Sequence, residues 1–132
     1  MKRSELREQI FKILFGIEFC TGADFTEQVK SYAEEMEDAD AAEREYVRTK
    51  VQKIADRIEA IDELLNTHTK GWKTSRMNKV DLTILRLAVY EMKWDDTVPT
   101  GVAINEAVEL AKKYSSEEGP AFVNGVLAKL AD

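Results

Sequence analysis

The chain has 132 residues, 44% hydrophobic and 33% charged, which suits one globular domain whose core needs no staples. Its formal charge of −6 argues against tight unaided binding to bulk nucleic acid, and one cysteine (Cys20) with one histidine (His68) is too little for an internal disulfide or a zinc site. No apolar run approaches the roughly 18 residues of a membrane span, and the opening MKRSELREQ lacks the apolar core of a signal peptide, so a cytoplasmic protein is expected.

Helical periodicity fills nearly all the space between sparse turn signals. Ser4 is placed to cap a first helix running to about Cys20, with Leu6, Ile10, Ile13, Leu14 and Ile17 as its aliphatic stripe and Thr21-Gly22 as its end. Asp24 and Glu27 have capping-box spacing for a second helix that fades near Met36. A second box, Asp40 and Glu43, opens the longest predicted helix, to about Leu65, buried along Val47, Val51, Ile54, Ile58, Ile61 and Leu65. Asn66 to Gly71 reads as a break, followed by a short segment around Trp72. Asn78 is a cap for a helix from Lys79 to about Lys93, where Val80, Ile84, Leu87, Ala88 and Glu91 share a face. Trp94 to Thr100 is a loop containing Pro99. Gly101 to Tyr114 resumes the helical period through Val102, Ile104, Val108 and Ala111, and Ser115 or Ser116 caps a last helix ending near Leu130. No segment alternates as a strand does. The expected fold is all-α, with six or seven helices.

Charge is unevenly spread. Residues 24–45 hold nine acids against Lys30 and Arg44, a net of −7, leaving the rest of the chain at +1. Residues 1–12 carry Lys2, Arg3, Arg7 and Lys12 against Glu5 and Glu8, and residues 70–79 carry Lys70, Lys73, Arg76 and Lys79 with no acid. Ordinary solvated surface accounts for either patch alone.

Catalysis requires a nucleophile with its base, an acid–base pair, a metal cage or a phosphate cradle. The sequence offers none of these, so a non-enzymatic protein without metal or cofactor is expected. His68 is most simply a helix-end residue and Cys20 a packing residue, and Glu117-Glu118 suits a helix N-terminus.

The aromatic residues say more. Phe11, Phe15 and Phe19 recur every fourth residue, with Phe15 and Phe19 nearly opposite the aliphatic stripe and Arg3 and Arg7 between the two faces. Burial is the expectation for Phe11 and Phe19. An exposed ring beside arginines is instead the combination that binds single-stranded RNA, because bases stack on rings while cations meet phosphates. In the last helix Phe122 sits at the edge of the face formed by Val123, Val126, Leu127 and Leu130, and Tyr114 is another aromatic at a helix end. Close helix–helix approach is the expected use of Gly125.

The run Val102-Ala-Ile-Asn-Glu-Ala-Val-Glu-Leu-Ala-Lys112, followed by Phe122-Val-Asn-Gly-Val-Leu127, resembles the C-terminal signature of the NusB family of transcription antitermination factors. Asp81-Leu-Thr-Ile-Leu-Arg-Leu-Ala-Val-Tyr-Glu91 with Val98-Pro99, and the helix from Arg7 to Phe15, are similar to that family too, so the resemblance covers essentially residues 1–132 as one domain. It implies two packed three-helix bundles with a short linking helix. It also implies a heterodimer with a small-subunit ribosomal protein, NusE in this role. That heterodimer binds boxA-type single-stranded nascent RNA within the RNA polymerase antitermination complex, notably on ribosomal RNA operons.

By position in the motifs, the resemblance assigns RNA contact to Lys2, Arg3, Arg7, Phe15, Tyr114, Glu118 and Phe122, and the partner-facing region to Arg76 and Asp81. Ser4 and Glu5 interrupt the arginine run that better-known members carry, which points to weak RNA affinity without the partner. Two other readings stand beside this one. A helical protein-interaction module without RNA contact is the first. The second is the NusB-like domain of an RNA cytosine methyltransferase, which would require a Rossmann-like domain that these 132 residues do not contain.

Overall fold

A computed structural model describes residues 1–16, 23–69 and 73–131, and among them every regular element is helical. The expectations placed on Ile17, Phe19, Cys20, Thr21-Gly22 and Trp72 lie outside the described residues. The chain divides into two compact units, Met1–Asp56 and Arg57–Asp132.

The first unit is a three-helix bundle of α1 (Arg3–Gly16), α2 (Ala23–Glu34) and α3 (Ala41–Ala55), with α1 and α2 both packed on α3. Its core joins Ile10, Phe11, Ile13 and Leu14 to Val29, Ala33 and Met36 and to Val47, Val51 and Ile54. Helix α3 starts as predicted: the Asp40 carboxylate accepts from the Glu43 N–H at 2.8 Å, and Glu43 accepts in return from the Asp40 N–H at 3.0 Å. The other two starts differ. Helix α1 begins at Arg3, with the Lys2 carbonyl accepting the Leu6 N–H at 3.0 Å, so Ser4 lies inside the first turn and is not its cap. Asp24 is the second residue of α2, favourably placed for the helix dipole but past the capping position.

The second unit contains α4 (Ile58–His68), a 3-10 turn (Thr74–Arg76), α5 (Lys79–Trp94), α6 (Thr100–Tyr114) and α7 (Gly119–Leu130). Helix α5 is central, packing on α4, α6 and α7. Leu82, Ile84, Leu85, Leu87, Ala88, Val89 and Tyr90 are all buried along it, each large aliphatic contributing about 1.5–3 kcal/mol. Arg86 on α5 clasps Asp62 on α4 through two parallel bonds of 2.9 and 2.8 Å, and Lys93 donates to the Leu130 carbonyl at 2.8 Å. The start of α5 follows the sequence reading, with the Asn78 side chain accepting from the Asp81 N–H at 2.8 Å.

The long helix predicted from Asp40 to Leu65 is two helices. Asp56 (φ −66°, ψ −13°) stays near helical angles and Arg57 (φ −116°, ψ 13°) leaves them, at negative φ values that demand neither glycine nor proline. Val47, Val51 and Ile54 serve one unit's core, Ile61 and Leu65 the other's. Helix α6 also departs from its predicted stripe. It buries Ala103, Ala107, Leu110 and Ala111, while Val102 is 44% exposed. Small residues at that spacing set α6 closely against its neighbours, and the larger valine is left outside. Among the described residues no helix is long and apolar enough to cross a membrane.

Candidate nucleic-acid interface

The first unit carries Lys2, Arg3, Arg7 and Phe15, and the second carries Tyr114, Glu118 and Phe122. In the first unit Lys2 and Arg3 are exposed at the start of α1. Phe15, near its far end, is 41% exposed. Its ring lies 6.2 Å between centroids from the ring of Phe11, tilted by 33° to it, and Phe11 is buried as expected. A ring partly open to solvent beside a buried one is an arrangement that suits base stacking.

Arg7 requires a correction. It is only 5% exposed and has interactions inside the protein, so it is not a free cation between two faces. Arg7, Ile10, Phe11 and Leu14 follow i, i+3, i+4, i+7 spacing, which puts Arg7 on the buried stripe. The aliphatic residues alone define a stripe rotated away from it. Tyr32 on α2, 43% exposed, was missed: its hydroxyl oxygen lies 3.6 Å from where a β-carbon on Gly16 would stand. The same unit has an open groove of about 600 Å³ lined by Met1, Glu5, Gln9, Glu35, Met36, Glu37 and Asp38, whose acids repel phosphate. At its edge the Met1 ammonium pairs with Glu43. That pairing and the Asp40 N–H hold the Glu43 carboxyl below its ordinary range, and Glu43 in turn raises the ammonium.

In the second unit the junction of α6 and α7 carries the candidate residues. Tyr114 ends α6, half-buried, with the Lys113 ammonium 5.5 Å from the ring centroid. Ser115 closes α6 rather than capping α7, its N–H donating to the Ala111 carbonyl at 2.9 Å. Glu118 occupies the position before α7, exposed, with no side-chain capping bond. Phe122 is half-buried one turn later.

A part-buried cluster of hydrogen bonds centred on Asp81 ties this junction. Asp81 accepts from the Asn78 amide at 2.9 Å and from the Ser115 hydroxyl at 2.5 Å. A β-carbon on Gly119 would stand 2.5 Å from that of Ser115, so only glycine lets α7 begin there. Asp81 is 5% exposed and both its oxygens are engaged, which gives it an internal role, whereas Arg76 is exposed on the 3-10 turn.

Gly125 differs from the sequence expectation. It lies in the middle of α7, exposed, and a β-carbon there would have no atom within 4 Å, so no helix approaches it in this unit. Glycine at a helix interior costs about 0.5–1 kcal/mol relative to alanine. Among the described residues no group of His, Cys, Asp and Glu is arranged to hold a metal.

A family model described as the NusB family matches residues 4–132. A protein of Agathobacter rectalis named "Transcription antitermination protein NusB" is 50% identical over 131 residues, covering 99% of this chain and all of that one. Among solved structures, T. maritima NusB is similar at a TM-score of 0.88 and 33% identity, covering 99% of this chain and 91% of that one. A crystal structure of antitermination factors NusB and NusE in complex with dsRNA is similar at a TM-score of 0.83 and 29% identity, covering 98% and 95%.

Proposed function

The chain belongs to the NusB family of transcription antitermination proteins, and from that premise we propose that it binds boxA-type single-stranded nascent RNA together with a NusE-type small-subunit ribosomal protein. The pair helps RNA polymerase resist termination, notably on ribosomal RNA operons. In this reading residues 1–132 work as one RNA-binding domain in the cytoplasm, where the transcript is made. A solved relative bound to NusE and dsRNA supports the partner and RNA binding in general.

The observation that carries the choice of single-stranded RNA is Phe15, a ring beside the buried Phe11 and partly open to solvent. Stacking on it requires a base free of its own duplex. Lys2 and Arg3 supply cations for phosphate, Tyr114 and Phe122 supply further rings, and Glu118 accepts hydrogen bonds from base amino groups or ribose hydroxyls. Arg7 acts by holding α1 in place, and Arg76 is offered to the protein partner.

Photocrosslinking of a boxA-type RNA to the complex with the ribosomal protein tests this. Crosslinks on α1 and at the α6–α7 junction are expected. Partner binding without any RNA crosslink on α1 would instead favour a helical interaction module with no RNA role.

A further inference from the structure

Gly125 stands in the middle of a helix where alanine would fit without touching anything, so nothing within its unit accounts for it. Gly101, also open, is in the first turn of α6, where the helix is only beginning and glycine matters less. At 100° per residue, Glu118, Phe122, Gly125 and Lys129 lie along one side of α7, away from the buried Val123, Val126, Leu127 and Leu130. That side presents a half-buried ring, then bare backbone, then an exposed ammonium. Phe122 to Lys129 spans about 10 Å at 1.5 Å per residue, the reach of two or three stacked nucleotides.

We infer that Gly125 is the point at which the RNA strand closes onto the backbone of α7, with a base on Phe122 and a phosphate at Lys129. A ribose or base edge can lie against the helix there because no β-carbon holds it off. The inference rests on the RNA-binding reading and adds to it a residue whose contribution is the absence of a side chain.

Gly125→Ala and Gly125→Leu test it, each titrated with a boxA-type single-stranded RNA in complex with the ribosomal protein and each melted alone. Both residues are good helix formers, so the alanine variant should melt about 2–5 °C higher than the wild type. RNA affinity should fall in the order glycine, alanine, leucine, by about tenfold or more for leucine. A leucine variant that binds RNA as the wild type does would overturn the inference. So would an alanine variant that melts lower, or one that loses the ribosomal protein while keeping RNA. If the wild-type complex binds no RNA, the RNA reading itself falls, an outcome distinct from a wild type that binds and variants that bind equally.

Discussion

Arg7 shows how one residue can be on the right helix and still do a different job from the one its charge suggests. It is buried on the same side of α1 as Ile10, Phe11 and Leu14, one turn before the first of them. Arg7→Ala should therefore cost about 1–3 kcal/mol of stability through lost packing and hydrogen bonding. Thermal melts will show this, and RNA affinity per folded molecule should change little; an unchanged melting temperature with weakened RNA binding would return Arg7 to the RNA contact. Glu43 makes a second residue-level prediction. Its carboxyl is held below the ordinary range, first by the Met1 ammonium and then by the Asp40 N–H, so its contribution is present above its unfolded value and lost as pH falls through the folded one. The raised Met1 ammonium behaves oppositely: its share is present below the ordinary 8.0 and lost as pH rises through the raised value. Glu43→Gln should flatten both limbs of a stability–pH profile, and an unaltered acid limb would show that the pairing is not formed in solution.

The elements that were legible in the sequence are those whose ends are made locally. Asp40 and Asn78 each cap a helix through a side chain three residues from its backbone partner, so spacing alone finds them. The break at Asp56–Arg57 leaves no sequence signal because its angles require neither glycine nor proline and the apolar period runs on from Ile54 to Ile61. The α6 stripe is legible only at Ala111, because the helix buries Ala103 and Ala107 in place of the larger Val102, Ile104 and Val108. Of the candidate site, the aromatic residues could be read from periodicity, but Gly125 could not. Whether a helical glycine packs or stays open depends on what lies opposite, which no local pattern records.

Helix α1 carries a test of stacking against packing. Phe11 is 3% exposed and Phe15 41%, so Phe11→Ala should cost about 3–5 kcal/mol of folding stability. Phe15→Ala should instead weaken RNA binding by about 1–3 kcal/mol with a smaller stability loss. Melts and RNA titrations on both variants separate the two, and a Phe15 variant that melts like the Phe11 one while binding RNA normally would assign both rings to the core.

For the whole molecule the governing quantity is charge. The chain is −6 overall, residues 24–45 alone are −7, and the exposed cations at the start of α1 are only Lys2 and Arg3 before Lys12. Few phosphates can be neutralised by so small a cluster, and each contact contributes about 0.7 to the slope of log affinity against log salt for a single strand. A partner that brings its own cations beside the strand adds contacts without requiring any change in this chain. The most direct measurement is the titration of a boxA-type single-stranded RNA with this protein alone and with the NusE-type ribosomal protein, at two salt concentrations. The account predicts weak, salt-sensitive binding alone, and much tighter binding with a steeper salt slope in the complex. An affinity that the ribosomal protein leaves unchanged, or RNA binding absent from both forms, would contradict it.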